Sequence, residues 1–282
     1  MKKVICIILS VLMIVACLSG CSTQKKANNL KVAISPDFAP MEFVDASKKG
    51  QDQFVGFDVS LAKYLAKELG YDGVEIMPMS FDACQVAVGA GSCDMSISGY
   101  SWTEERAKNY NISDYYYAGD NETEQVIITT KANEGKFKTA ADFSGKKVAA
   151  QTASLQLDLC NEQLPEDCTI QQVGDLTTAI LQLINGDFDA MAVAKGNGEV
   201  FINAHPDDLA QSGFQFEVSE EYTANVILLK KGADDLTTKV NAALKKAYDG
   251  GMYGPWYDEA LKLAESENAQ DVTYDESGNV AK

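Results

Sequence analysis

A single arginine, Arg106, is the residue whose type most clearly points to chemistry. The chain has 282 residues with 24 lysines and arginines, and all of these except Arg106 are lysines. A planar guanidinium can hold a carboxylate through two parallel hydrogen bonds, which an ammonium cannot do. Arg106 follows the short run Ser98-Gly99-Tyr100-Ser101 and lies in the first turn of a predicted helix with Thr103 as its N-cap. We predict that Arg106 binds a carboxylate, and a surface arginine without a special role is the alternative.

Alternating strand and helix patterns must position this residue. In the first half, apolar periodicity predicts strands at 30–34, 74–77, 94–98 and 125–130 and helices at 59–69, 82–90 and 103–108. The second half repeats the order, with strands at 147–151, 170–173, 189–194 and 226–230, helices at 154–163 and 176–184, and a last helix through Val240, Leu244 and Tyr248. Both halves carry Gly-x-x-Asp between a helix and a strand, at Gly91/Asp94 and Gly186/Asp189. This order predicts parallel βαβ units in an α/β fold with two similar lobes.

The charge and the histidine content exclude several classes of function. Forty-one acidic residues against 24 basic ones give a net charge of −17, which argues against binding to nucleic acid. His205 is the only histidine, so a histidine-based catalytic triad and a separate histidine-rich metal site cannot both exist. We predict no catalytic residues, no metal site and no cofactor.

The N-terminus has the pattern of an export signal. Lys2 and Lys3 precede an apolar run over 4–18, which is too short for the roughly 20 residues that span a bilayer. The run ends in Leu18-Ser19-Gly20-Cys21, which resembles the lipobox of bacterial lipoproteins. The resemblance implies a signal peptide over 1–20, a lipid on Cys21, a polar tether over 21–29 and an extracytoplasmic protein anchored to the cell membrane. A plain signal peptide cut nearby is the alternative.

Four further cysteines are compatible with two disulfides. Cys84, Cys93, Cys160 and Cys168 are an even number in a chain predicted to be exported. The order along the chain makes Cys160–Cys168 the more plausible pair and Cys84–Cys93 the second. Four buried free thiols, packed as small apolar residues, are the alternative.

Four stretches of the chain resemble one known family. They are Phe38-Ala39-Pro40-Met41-Glu42-Phe43, Gly56-Phe57-Asp58-Val59-Ser60-Leu61-Ala62, the segment 97–106 that ends in Thr103-Glu104-Glu105-Arg106, and Lys147-Val148-Ala149-Ala150-Gln151-Thr152. In this order they are similar to the motifs of the family 3 solute-binding proteins, which are amino-acid receptors of ABC importers. The resemblance implies a two-lobed type II periplasmic-binding fold with a two-strand hinge and a ligand cleft between the lobes. It places the first lobe at 30–126 plus 226–265, the second at 127–225, and a polar tail at 266–282.

The resemblance also implies a set of ligand-binding residues. Arg106 would clamp the α-carboxylate of the ligand, and Ser98, Gly99 and Ser101 would bind the same end. Phe38 and Phe81 would enclose the ligand side chain. Gln151 and Ser154 would close over the carboxylate from the start of a helix, where exposed N–H groups favour an anion.

The chain departs from the family where the ligand's ammonium is bound. Ala194 stands in place of the usual aspartate, Ser35 in place of a second acid, and Ala153 and Leu155 in place of Gly and Thr. A buried ammonium without a partner is costly. The sequence therefore favours a small carboxylate whose amine is absent or bound otherwise, and Asp175, Glu199 or Asp120 could restore ordinary amino-acid binding.

We predict from this resemblance the binding component of an ABC importer for an amino acid or a related small carboxylate. Its partners would be that ligand, the permease, and the membrane through the lipid alone; the protein would be a monomer. Alternatives are a receptor for amine-free organic acids, a sensor lobe for a signalling receptor, and a prephenate-type dehydratase with Glu42 or Glu199 as general acid.

Overall fold

The computed structural model describes residues 27–117, 119, 123–222, 224–266 and 269–270. The predicted signal peptide, the lipid site Cys21, most of the tether and residues 271–282 lie outside this part of the chain. Asn29, predicted as the end of the tether, already belongs to the first strand. Among the described residues, no helix has the length and apolar character needed to cross a membrane.

A first five-stranded sheet is built from both ends of the described chain. Its order is β4-β1-β5-β12-β6, with β1 at Asn29–Ile34, β4 at Gly73–Pro78, β5 at Met95–Ser101, β6 at Tyr110–Ile112 and β12 at Asn225–Lys230. Strand β1 runs parallel to β4 and β5, whereas β12 is antiparallel to β5 and β6. The helices of this unit are α1 (Phe57–Glu68), α2 (Phe81–Ala90), α3 (Glu104–Asn109), α7 (Asp234–Asp249) and α8 (Tyr253–Ala264).

A second five-stranded sheet is built from the middle of the chain. Its order is β11-β7-β10-β8-β9, with β7 at Gln125–Thr130, β8 at Lys147–Gln151, β9 at Thr169–Val173, β10 at Ala190–Ala194 and β11 at Leu209–Gln215. Strand β8 is parallel to β9 and β10, and β7 is antiparallel to β10 and β11. Its helices are α4 (Leu155–Gln163), α5 (Leu176–Asn185) and α6 (Lys195–Ala204).

The chain passes between the two sheets twice, before β7 and before β12. We call the unit around the first sheet the first lobe and the unit around the second sheet the second lobe. The limits predicted for the lobes, at 126 and 226, stay predictions.

The Gly-x-x-Asp units do the same work in both lobes. Gly91 and Gly186 end α2 and α5 in the left-handed conformation, at φ +75° and +85°, which glycine adopts without steric cost. The Asp94 carboxylate then accepts a hydrogen bond of 2.8 Å from the Lys31 N–H at β1, and that of Asp189 accepts one of 2.9 Å from the Lys147 N–H at β8. The short repeat read from the sequence therefore corresponds to one repeated connection.

Several elements differ from the sequence prediction. The α/β pattern is confirmed, but each sheet mixes parallel and antiparallel strands. Helices α6 and α8 were not predicted. A small third sheet, order β13-β2-β3, joins Phe43–Asp45 (β2) to Phe54–Val55 (β3) and to Ala269–Gln270 (β13). The predicted tail over 266–282 therefore contains a strand, because the open edge of β2 pairs with Ala269 and Gln270.

The two predicted disulfides are wrong for this structure. Cys84, Cys93, Cys160 and Cys168 are all free thiols and all buried. Cys84 and Cys93 pack in an apolar cluster of the first lobe, and Cys160 and Cys168 pack in one of the second. The Cys84 thiol faces the Met79 carbonyl oxygen at 3.7 Å. The side chains fill core space as small apolar groups, which was the alternative drawn from the sequence.

Candidate functional site

A small cavity lies between the lobes at the carboxyl ends of the parallel strands β1, β5 and β8. This is where open α/β sheets place their ligands. The cavity measures about 30 Å³, enough for roughly two water molecules. Its lining comes from both lobes and consists of Asp37, Phe38, Phe81, Ser98, Gly99, Ser101, Arg106, Gln151, Leu155 and Gln156. Seven of the eight residues predicted to bind ligand line it, the exception being Ser154, and the predicted wall residue Leu155 lines it as well.

Arg106 is buried at one side of this cavity, with 6% of its surface exposed. Thr103 caps α3 by accepting a hydrogen bond of 3.1 Å from the Arg106 N–H, so the helix start fixes the arginine backbone. The guanidinium carbon lies 5.7 Å from the ring centre of Phe81 and 5.3 Å from that of Tyr100. Guanidinium groups stack on aromatic faces in this way, and an ammonium cannot stack.

The Arg106 guanidinium donates three hydrogen bonds to described residues. Nε donates to the Gln85 side-chain oxygen at 3.4 Å, Nη1 to the Ser101 carbonyl at 2.7 Å, and Nη2 to the Ala153 carbonyl at 2.8 Å. Within the described part of the chain, these bonds use three of its five N–H groups and leave one on each terminal nitrogen. None of the ion pairs between described residues includes Arg106. A buried cation with a free donor on each end nitrogen suits a carboxylate.

Ser98, Gly99 and Ser101 line one side of the cavity, which we call its floor. We predicted that these residues bind the ligand directly, but their hydrogen bonds go to other residues of the first lobe. The Gly99 N–H donates to the Asp58 carboxylate at 2.9 Å. The Ser98 hydroxyl donates to Glu42 and accepts from the Ser35 N–H at 2.9 Å. The Gly99 N–H and the Ser98 hydroxyl are thus bonded within the first lobe. The Ser101 carbonyl oxygen accepts a hydrogen bond from Arg106, so Ser101 helps to orient this arginine in the cavity.

Gly99 and Phe38 form one wall together. Gly99 has φ +59°, and a Cβ at this position would lie 2.7 Å from the Phe38 ring. Only glycine therefore lets the ring lie against the floor. Phe81 forms the opposite aromatic surface and packs against Tyr100, with ring centres 4.8 Å apart. Both predicted aromatic walls line the cavity.

The second lobe reaches the cavity through the segment between β8 and α4. Gln151 lines the cavity, and its side-chain amide donates to Asp37 at 3.2 Å. Ala153 has φ +60°, an unfavourable value for a residue with a Cβ, and its carbonyl accepts from both Arg106 and Gln85. Ser154 caps α4, because its hydroxyl accepts from the Leu157 N–H at 3.2 Å and donates to the Gln151 carbonyl at 2.7 Å. Ser154 therefore shapes the helix start.

Asp37 and Gln156 are the cavity residues that sequence reasoning missed, and Asp37 is the charged one. Its carboxylate accepts hydrogen bonds from the Ser35 hydroxyl at 2.8 Å, from the Leu176 N–H at 3.0 Å and from Gln151. The last two donors belong to the second lobe, and Leu176 opens α5, whose N-terminus favours an anion. Burial, with a smaller contribution from the neighbouring Asp175, raises the pKa of Asp37 from 3.8 to about 7 despite the donor hydrogen bonds, which act to lower it.

The other residues considered for the ammonium lie in different places. Ser35 is buried beside Asp37, and Ala194 is buried at the end of β10. Asp175 caps α5 beside Asp37. Glu199 lines a separate groove of about 550 Å³ between α6 and α8, and Asp120 is outside the described residues. Of the two described acids, Asp175 and Glu199, Asp175 is the one beside the cavity residue Asp37.

Comparison with known proteins defines the class of molecule. A family model for bacterial extracellular solute-binding proteins, family 3, matches residues 30–261. The arginine-binding extracellular protein ArtP of Bacillus subtilis (strain 168) is 33% identical over 235 residues, which cover 83% of this chain and 85% of ArtP. The L-cystine-binding protein TcyJ of Escherichia coli (strain K12) is 27% identical over 228 residues, 80% of each chain.

A solved structure agrees with this class. The amino acid ABC transporter substrate-binding protein AbpA of Streptococcus pneumoniae, bound to L-arginine, superposes with a TM-score of 0.75 at 30% identity, covering 85% of this chain and 97% of AbpA. The fold is the two-lobed α/β fold of type II periplasmic binding proteins. The chain belongs to the bacterial extracellular solute-binding proteins, family 3.

Proposed function

We propose that this protein is the receptor of an ABC importer for an amino acid, which it binds between its lobes. The observation that carries the proposal is Arg106, a buried guanidinium in the interlobe cavity with one N–H available on each terminal nitrogen. A ligand carboxylate would accept both of these donors. Such a paired, charge-assisted contact would supply affinity and orientation together.

Asp37 supports a ligand that also carries a cation. The sequence alone favoured a ligand without an amine, because two acids of the family pattern are replaced by Ser35 and Ala194. Asp37 adds a carboxylate to the same cavity, with Asp175 beside it. A ligand ammonium or guanidinium would face this negative end, while its carboxylate would face Arg106. The proposal therefore favours an α-amino acid over its amine-free analogue.

The names of the relatives select the first ligands to test. ArtP and TcyJ are described as binding arginine and L-cystine, and AbpA was solved with L-arginine. Phe38 and Phe81 would flank the ligand's side chain. The cavity is lined by residues of both lobes, so the lobes would separate to admit the ligand. Hinge strands at 125–130 and 226–230 would carry this motion.

The cellular role follows from the same assignment. The protein would pass its ligand to a membrane permease, act as a monomer, catalyse nothing, and stay at the membrane through a lipid on Cys21. Glu42, the general acid of the dehydratase alternative, is fully buried and bonded to Ser98, away from the open cavity. A Cys21→Ser variant should leave the membrane fraction if the anchor is correct. Deletion of the permease gene should abolish ligand uptake if the protein serves an importer, and it should leave the response to ligand intact if the protein serves a sensor.

Calorimetry with matched ligands tests the proposal. L-Arginine, L-histidine and L-cystine should be compared with agmatine, which lacks the carboxylate, and with 5-guanidinovaleric acid, which lacks the α-amine. We expect at least one of the three amino acids to bind and both truncated compounds to bind far more weakly. If 5-guanidinovaleric acid bound as tightly as L-arginine, the amine would have no part in recognition, and the protein would be a receptor for organic acids.

The variant Arg106→Met tests the clamp itself. Removing one partner of a buried charge pair costs about 2–5 kcal/mol, so affinity should fall by a factor of about 30 or more. Arg106→Lys should keep the positive charge but lose the paired geometry, so affinity should recover only in part. Lys108→Met is the matched control, because it removes a cation from the exposed side of the same helix. Unchanged binding by the Arg106→Met protein would refute the clamp.

A further inference from the structure

Two acids are buried beneath the cavity floor, and ligand binding as proposed does not use them. Glu42 and Asp58 each have 0% of their surface exposed. They come from two of the sequence motifs described above, one before β2 and one in the first turn of α1. Isolated charges are expensive in such a place unless they are paired or neutralised.

The partners of the two acids are unequal. Asp58 accepts hydrogen bonds from the Gly99 N–H at 2.9 Å and from the Tyr116 hydroxyl at 3.0 Å, both on Oδ2. Glu42 accepts one, from the Ser98 hydroxyl, on Oε1. Within the described residues, the buried atoms Glu42 Oε2 and Asp58 Oδ1 receive no conventional donor. The two carboxyl groups are within hydrogen-bonding reach of each other.

No cation in the described part of the chain balances this pair. None of the ion pairs among described residues includes Glu42 or Asp58. The other ionisable groups that interact with Glu42 are Asp37, a further acid, the Cys84 thiol, and the phenols of Tyr100 and Tyr116. Two adjacent negative charges in an apolar interior cannot both persist, and one shared proton resolves the conflict.

We propose that Glu42 and Asp58 share one proton, carried by Glu42, and that this pair positions the Ser98-Gly99 floor of the ligand cavity. Asp58 is the anion because it has two donors before Glu42 adds a third. Glu42 then donates through Oε2 to Asp58 Oδ1 and accepts from Ser98 through Oε1. Every polar oxygen of the pair is satisfied in this arrangement.

The titration of Glu42 supports the same assignment. Burial raises the pKa of Glu42 well above its usual range, and the Asp58 charge raises it further. Burial also raises the pKa of Asp58, to about 6, while the donors from Gly99, Glu42 and Tyr116 lower it. Glu42 is therefore the group that retains the proton at neutral pH.

The pair matters to the ligand through Gly99. The bond from the Gly99 N–H to Asp58 holds this residue at φ +59°, directly against the Phe38 ring. Ser98, bonded to Glu42, also accepts from the Ser35 N–H next to Asp37. Glu42 and Asp58 are thus positioning residues for two parts of the cavity wall, and they do not touch the ligand.

Two isosteric substitutions distinguish the roles of the acids. Glu42→Gln mimics the protonated acid, because its amide can donate to Asp58 and its carbonyl can accept from Ser98. We expect its ligand affinity to stay close to that of the parent protein. Asp58→Asn sets its amide donor against the protonated Glu42 oxygen or, in the flipped rotamer, against the Gly99 and Tyr116 donors, and its affinity should fall by about 30-fold or more. This comparison rests on the proposed function. Equal losses of ligand affinity in both variants would overturn the assignment of the proton to Glu42 and of the negative charge to Asp58.

Infrared spectroscopy tests the proton without any ligand. At pH 8.5, where Asp37 is ionised, the parent protein should show the carbonyl band of an un-ionised carboxylic acid. The Glu42→Gln protein should lack this band, and the Asp37→Asn protein should keep it. No such band in the parent, or a band that survives Glu42→Gln, would overturn the proposal even if no amino acid bound. This measurement does not use the Asp58→Asn protein, so it does not depend on whether that variant folds.

Discussion

At the scale of the residue, Arg106 and Asp37 differ in how visible they are in the sequence. Arg106 is identified by composition alone, because it is the only arginine in a chain rich in lysine. Asp37 has no such signal. Its importance comes from donors 114 and 139 residues away, Gln151 and Leu176, which only the folded chain brings to it. Residue type can reveal a clamp, but not a contact made across two lobes.

Asp37 is expected to have opposite effects on stability and on binding. Its pKa rises from 3.8 in a free chain to about 7 in the folded protein. A raised pKa stabilises the fold at low pH, and this contribution is lost as the pH rises from about 4 through 7. Asp37→Asn should therefore raise the free energy of unfolding at pH 8, by up to about 4 kcal/mol at roughly 1.4 kcal/mol per pKa unit.

The same substitution should weaken the binding of a cationic ligand. The parent protein should also lose affinity as the pH falls below 7, because protonated Asp37 no longer attracts a cation. Asp37→Asn should show lower affinity at pH 8 and little dependence on pH between 5 and 8. Denaturant unfolding and calorimetry at both pH values measure the two effects. A variant that is less stable at pH 8 and binds as tightly as the parent would contradict this account.

At the scale of the element, regular patterns were predictable and irregular ones were not. Strands β7 and β8 have the predicted bounds, and α5 starts at the predicted residue, because alternation, caps and a terminal glycine all agree there. Helix α6 begins directly after β10 without a side-chain cap and contains Gly196 and Gly198, which weaken a helical pattern. The antiparallel pairing of β12 with β5 joins distant segments and leaves no local signal.

The floor of the cavity depends on one backbone conformation. A methyl group at Gly99 would collide with the Phe38 ring at 2.7 Å and would also strain φ +59°. Gly99→Ala should displace Phe38 and weaken ligand binding by about tenfold or more, while destabilising the fold by roughly 1–2 kcal/mol. Calorimetry and thermal unfolding measure both quantities.

Gly50→Ala separates strain from collision. Gly50 has φ +62°, almost the same conformation, but nothing lies within 4 Å of an added methyl group. The control should lose similar stability through strain and keep full affinity for the ligand. If both variants bound the ligand equally well, the contact between Gly99 and Phe38 would have no part in recognition.

At the scale of the whole molecule, the lobes are joined by a few contacts outside the hinge. Asn197 of α6 donates to the Ala39 carbonyl of the first lobe at 3.1 Å, and Asn197 does not line the cavity. A hydrogen bond of this kind contributes about 1 kcal/mol net. Asn197→Ala should therefore raise the dissociation constant about fivefold by favouring separated lobes.

Small-angle scattering measures this effect directly. Ligand should compact the parent protein more completely than it compacts Asn197→Ala at the same concentration. Asn203→Ala is the matched control, because Asn203 lies exposed on the same helix. Scattering curves and affinities identical to those of the parent in both variants would exclude a role for Asn197 in closure.

Arg106 also connects the two halves of the molecule directly. Its Nη2 donates to the Ala153 carbonyl across the cleft, next to the donors that a carboxylate would take. One side chain thus serves both as the proposed carboxylate site and as a link between the lobes. Replacement of Arg106 would therefore shift the balance between open and closed forms as well as remove a ligand contact.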